Sequence, residues 1–182
     1  MNKKEEKNLY IKKKIMFNKE QDFNFVAYNN LLILTAFKCF SEEKRWQDYR
    51  KLIYLYPYVA DSSLLELLRR AIANTPLHPF DKEILRETYT KSFLKTSMVK
   101  LLLLNLERND KISFSKNKSK PTLDVWINVE KLPGNFLNQQ VFEAEYGNLE
   151  RIKTIFPRLR TMSLKTILEK VYEENGVNIW EV

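Results

Sequence analysis

A mostly α-helical fold with one β-hairpin is what this sequence predicts, on three observations. Apolar residues recur at three- and four-residue steps along most of the chain, the spacing that lines one face of a helix. Only one stretch, Lys111 to Val129, alternates as strands do, and it does so on both sides of a polar turn. Three glycines occur (Gly134, Gly147 and Gly176). That is too few for a β-sandwich, or for turns that bring the backbone close to a phosphate or dinucleotide.

The elements follow in order. Phe25, Val26, Asn29, Leu32, Ile33, Ala36, Phe37 and Phe40 form an inward stripe, predicting a helix that ends near Ser41-Glu42. WQDYRKLIYLYPYV predicts a second, aromatic-rich helix that stops at Pro57 or soon after. Asp61, Ser62 and Ser63 are cap candidates for a third, LLELLRRAIA, with Arg69 and Arg70 outward. NTPLHPF carries two prolines and reads as a loop. Asp81 can cap a helix reaching about Lys95, and Ser97 the next one, Met98 to about Arg108. KISFS and LDVWINV are the strands, with KNKSKPT as their turn. After the break at Pro133-Gly134, helices are expected from about Gln139 to Ile155 and from about Ser163 to Glu174.

The 182 residues suit one domain, and 44% hydrophobic with 13% aromatic content is ample for a core. No apolar run approaches the roughly 18 residues that span a bilayer, and MNKKEEKNLYIKKK lacks the apolar centre of a signal peptide. The single cysteine, Cys39, excludes an internal disulfide and fits a reducing compartment. A cytoplasmic protein with no membrane contact is the expectation. The net charge of +8 is local: residues 1–20 hold seven Lys and three Glu, and residues 111–120 hold four Lys and no acid. Removing these from the 31 basic and 23 acidic residues leaves 20 of each. Two basic patches suit a polyanion better than an acidic small molecule, though a solubilising tail and a solvated loop would look the same.

Val99 to Val129 reads as helix, break and hairpin, the back half of a winged helix. The chain then divides into a flexible basic arm at 1–14, a helical part at 15–78, a winged-helix-like portion at 79–130 and C-terminal helices at 131–182, all within one compact domain. In DNA readers of this kind the helix before the wing meets base edges. Here Lys100, Leu104 and Glu107 share its outer face, flanked by Leu103 and Arg108, and seven of the nine residues from Met98 to Leu106 are apolar. That strip suits a protein partner, or burial, rather than base readout. The wing lysines Lys111, Lys116, Lys118 and Lys120, with Lys12, Lys13 and Lys14 of the arm, are the candidates for non-specific phosphate contact. Asn117 with Ser115 or Ser119 could add hydrogen bonds. The competing explanation is an exposed turn that uses lysine to blunt its edge strands.

No catalytic constellation is legible. His78, the only histidine, lies between Leu77 and Pro79 in a loop, and Cys39 sits in an apolar segment as a structural thiol would. No spacing supports a metal site. Neither a cofactor nor a small-molecule substrate is expected, and the chain reads as no enzyme. Its aromatic surplus points elsewhere: Tyr54, Tyr56 and Tyr58 crowd one segment near Trp46 and Tyr49, and a short domain can hardly bury them all. Tyr and Trp are favoured at interfaces, so these tyrosines join Lys100, Leu103, Leu104 and Glu107 as candidate partner-binding residues.

Three stretches, YNNLLILTAFKCF, KLIYLYPYVADSSLLELL and VKLLLLNLERNDKISFS with its hairpin, carry a further signal. In this order they resemble the middle component of ABC-three-component systems, which include Lamassu-type bacterial defence operons. The resemblance covers residues 28 to 129 and rests on apolar patterns, not catalytic signatures. It implies a non-catalytic adaptor linking an SMC-like (Rad50-like) ABC ATPase to an effector, often a nuclease, in an anti-phage or anti-plasmid complex. The apolar helix before the wing would then be an assembly surface, and the lysines would add contact to double-stranded DNA. The alternative is a free-standing winged-helix DNA-binding regulator.

Overall fold

The computed structural model describes residues 23–134, 136 and 142–180. Among them the order is α1 (Phe23–Ala36), α2 (Arg50–Ala60), α3 (Ser62–Ile72), α4 (Pro79–Leu94), α5 (Thr96–Arg108), β1 (Ile112–Lys116), β2 (Leu123–Ile127), α6 (Glu143–Ile155) and α7 (Leu164–Val171). The fold is mostly helical with one antiparallel hairpin, as the sequence predicts. No helix among the described residues is long and apolar enough to cross a membrane. The basic arm lies outside the described residues.

Helix α2 is the centre. Lys51 to Tyr56 are all buried, together with Tyr58 and Val59, so the helix meets protein on every side. This corrects the expectation for Tyr54, Tyr56 and Tyr58, which are only 2%, 3% and 1% exposed and cannot meet a partner. Tyr58 finds a partner for its hydroxyl and Tyr54 one for its ring, while the Tyr54 hydroxyl is buried without a hydrogen bond. Tyr58 and Tyr172 share a hydrogen bond of 2.8 Å, and Tyr54 stacks on Tyr89 at 5.7 Å between centroids. Burial pushes the Tyr54 phenol up to about 12, and Tyr58 and Tyr172 also lie well above the usual range. Pro57 does not stop α2, because its carbonyl still accepts from Asp61 N at 3.1 Å. Asp61 then turns the chain and caps α3 by accepting from Ser63 N and Leu64 N, as its position predicts.

Lys51 has no exposed surface. Its Nζ donates to the carbonyls of Leu159 and Arg160 at 2.8 Å each and of Met162 at 3.0 Å, and it sits 4.6 Å from the Trp46 ring centroid. Burial lowers this ammonium to about 7, against the pull of Asp48, Cys39 and Asp124. The residues between α6 and α7 are therefore fastened to the first turn of α2 by one side chain.

Several boundaries differ from the sequence expectation, each for a local reason. Helix α1 ends at Ala36 because Lys38 takes a left-handed conformation (φ 54°) and Cys39 N bonds back to Leu34 O. Phe40 consequently leaves the inward stripe and is exposed, while Cys39 turns in and is raised by burial to about 12. Helix α4 is capped not by Asp81 but by His78, whose Nδ1 accepts from Phe80 N at 3.3 Å, with Pro79 at the first position. Asp81 instead pairs with Arg70 at 2.7 Å. Helix α5 begins at Thr96 without a side-chain cap, so Ser97 has no such role. Helix α6 starts at Glu143, and residues 139–141 lie outside the described set.

Replacing Lys51 by Met removes the donor while keeping most of the volume, and strands one buried and two half-buried carbonyls. The expected loss is about 3 kcal/mol, read by urea unfolding. An unchanged midpoint would mean that those carbonyls find other donors.

Candidate functional site

The hairpin pairs Ile112 with Ile127, Phe114 with Val125 and Lys116 with Leu123. Ile112, Val125 and Ile127 are buried, so the alternation read from the sequence sets the face that packs inward. One feature was not legible. The outer edge of β2 is covered by the chain between α1 and α2. Trp46 exchanges two backbone hydrogen bonds with Val125 (2.8 and 2.9 Å), Tyr49 N donates to Leu123 O, and Ile127 N donates to Cys39 O. That edge needs no lysine to blunt it.

Two buried carboxylates fix the turn end of the hairpin to the entrance of α2. Asp124 accepts from Arg45 Nε at 2.8 Å, from Asp48 N at 2.9 Å and from Asn117 Nδ2 at 2.7 Å. Asp48 accepts from Arg50 Nε and Nη2 at 2.9 and 2.8 Å and from Thr122 Oγ1 at 3.0 Å. Burial pushes the Asp48 carboxyl up, but the Arg50 guanidinium and the Thr122 hydroxyl outweigh it and hold the group below its ordinary value. Asn117 completes the turn. Its Oδ1 accepts from Ser119 N and Lys120 N at 2.9 and 3.1 Å, and its own N–H donates to Thr122 O. Asn117 is therefore committed within the protein, and Ser115 Oγ is buried, so neither is placed to meet DNA.

The predicted site residues separate into groups. Lys116, Lys118 and Lys120 are exposed around the turn. Lys111 lies at the opposite end of β1, half-buried, and donates to the Lys131 carbonyl, so it does not join them. Lys12, Lys13 and Lys14 lie outside the described residues. On α5, Lys100, Leu104 and Glu107 are exposed as predicted, whereas Leu103 is only 1% exposed and turns in with Val99 and Leu102. Leu101, which the helical projection missed, is the most exposed of the α5 leucines at 64%, with Leu104 at 44%.

The two surfaces meet. A cleft of about 350 Å³ lies between α5 and the hairpin, floored by Leu103 and Phe114 and lined also by Tyr49, Leu104, Pro121 and Leu123. Lys100, Lys116 and Lys120 belong to its lining, which contains no carboxylate. The polar groups Asn117 and Thr122 also line it, but with the commitments given above. Cation and aromatic surface converge here from α5, from the hairpin that follows it, and from Tyr49 just before α2. Two basic residues on either side of Pro157 pair with acids on their own helices, Lys153 with Glu150 at 2.5 Å and Lys165 with Glu169 at 3.6 Å. Comparison with family models, curated proteins and solved structures finds no match to this chain.

Because Asp48 is held below its ordinary value of 3.8, its contribution is complete above that pH and is lost as pH falls through the folded value. Asp48→Asn tolerates the left-handed backbone at this position (φ 62°) but removes the charge. Urea unfolding from pH 6 down to pH 3 should show a steeper loss in the wild-type protein than in the variant. Parallel curves would remove Asp48 from the account.

Proposed function

We propose that this chain is a non-catalytic adaptor subunit that binds a protein partner through the outer face of α5 and touches DNA phosphates through the hairpin lysines. The observation that carries the reading is the pair of exposed leucines, Leu101 and Leu104, on the helix beside a lysine-bearing turn. A helix laid in a major groove needs polar side chains outward, and two leucines with Glu107 there suit a protein surface instead. The partner is an SMC-like (Rad50-like) ABC ATPase, with an effector such as a nuclease completing the complex. This identity rests on the resemblance to the middle component of ABC-three-component defence systems. The leucines belong to the third of the three stretches that carry it.

The hairpin supports the second half of the reading. Lys116, Lys118 and Lys120 project from a turn held by Asn117, within reach of phosphates and without the geometry for base-specific readout. Binding of this kind weakens with salt in proportion to the number of phosphates neutralised.

Two measurements test the two halves separately. Mild-salt affinity purification of the tagged protein from its native host, followed by mass spectrometry, should recover a large coiled-coil ATPase. Leu104→Asp should lose it while remaining folded by circular dichroism. Recovery of the protein alone as a stable dimer would favour a free-standing DNA-binding regulator. For the other half, changing Lys116, Lys118 and Lys120 together to Glu should reduce affinity for a duplex at least about tenfold and flatten its salt dependence by up to three phosphates. Undiminished affinity would sink the wing contact and leave the partner surface standing.

A further inference from the structure

We propose that the cleft between α5 and the hairpin binds single-stranded nucleic acid, seating one unpaired base in the cleft and its neighbouring phosphates on Lys100, Lys116 and Lys120. This deepens the DNA contact proposed above by naming the strand class, and it rests on that reading.

Size is the first argument. At about 350 Å³ the cleft falls at the lower end of small-molecule sites, which suits a base with part of its sugar and excludes a duplex. The second is the chemistry of the lining. Tyr49 and Phe114 supply aromatic surface, and Leu104 and Pro121 apolar surface, while three ammonium groups stand among them with no carboxylate. Sequence-tolerant binding of single strands uses this combination of stacking surface for bases and lysine for the backbone. A duplex keeps its bases stacked inside, so it would meet only the lysines and leave the apolar lining facing water. A single strand releases a base at little cost.

The third argument separates a nucleotide strand from an acidic peptide. A peptide would bring the same negative charge but also backbone amides and carbonyls that need partners. Among the cleft's side chains, Asn117 bonds Asp124, Ser119 N and Lys120 N, and Thr122 donates to Asp48. What remains is charge and apolar surface, which match a base and its phosphates. Lys100 is the distinguishing residue. It reaches the cleft from α5, whereas Lys118 is exposed on the turn and is not part of the lining.

The test is fluorescence anisotropy with the full chain at fixed salt, using three probes of about 20 nucleotides: oligothymidylate, an abasic strand of equal charge, and a duplex. Oligothymidylate should bind about tenfold more tightly than the abasic strand. Lys100→Glu, an exposed helix-surface change, should cost about tenfold for oligothymidylate and under twofold for the duplex. Lys118→Glu should weaken all three probes alike. Equal affinity for the base-bearing and abasic strands overturns the proposal while leaving the phosphate contact of the hairpin intact. An unaffected Lys100→Glu variant does the same. No binding by any probe overturns both and makes an acidic peptide the occupant to seek, whereas the partner surface on α5, which shares Lys100 and Leu104 with the cleft, is read by co-purification. Displacement of the strand by micromolar thymidine monophosphate would make the cleft a free-nucleotide pocket and also overturn the strand as its occupant.

Discussion

The hydrogen bond from Asp48 N to the Asp124 carboxylate, 2.9 Å long, is the contact on which the arrangement of hairpin and helices depends. It joins residues 76 apart in sequence and brings a second carboxylate, that of Asp48, beside the first. Two carboxylates sharing a nearly dry site would repel each other if left alone. Here each has its own arginine: Arg45 on Asp124 and Arg50 on Asp48, both at 2.8 Å. Further donors, Asn117 on Asp124 and Thr122 on Asp48, come from the hairpin itself. Removing any one member leaves a charge or a lone pair unmatched in a buried place, so the turn end of the hairpin and the start of α2 hold or loosen together.

Lys51 extends the same constraint in the opposite direction. It stands in the first turn of α2, and its ammonium gathers the carbonyls of Leu159, Arg160 and Met162. The helix that begins at the carboxylate network is thereby tied to the segment leading into α7. Helix α7 brings in turn Tyr172, which bonds Tyr58 near the other end of α2. A central helix buried on all sides needs such polar ties, because apolar packing alone fixes neither its rotation nor its depth.

What could be read from the sequence divides along the same line. Local periodicity located the helices and the hairpin, because the inward faces of α3 and α5 and the alternation of β1 and β2 depend on residues a few positions apart, whereas α1 is buried on every side from Tyr28 to Leu34 and not along one stripe. The ends of α1 and α4 were misplaced. Left-handed Lys38 and the cap from His78 are single-residue decisions that a periodic pattern does not contain. The tyrosines of α2 were assigned to a surface because a stripe shows which residues share a face, not how many faces are covered. The partners that bury Tyr54 and Tyr58 come from Tyr89 and Tyr172, far along the chain. A signal for Lys51 was nonetheless present. It lies three, four and seven positions before Tyr54, Leu55 and Tyr58, a lysine in line with an apolar stripe. The carboxylate network left no comparable trace, since its members are ordinary surface residue types separated by long intervals.

The candidate site inherits its shape from this polar scaffold. Lysine side chains on a free loop would lose conformational entropy on binding an anion, and the loop backbone would lose more. In this protein the turn is already ordered by Asn117, which bridges the backbone of Ser119 and Lys120 to the Asp124 carboxylate. Lys116 and Lys120 are thus delivered to one wall of the cleft at fixed positions, while Lys100 arrives from α5 on the other. Only the side-chain rotamers remain to be ordered. Because Arg45 and Arg50 already neutralise Asp124 and Asp48, no acid beneath the cleft is left to pair with the three lysines that line it, and their positive charge stays available to an anion.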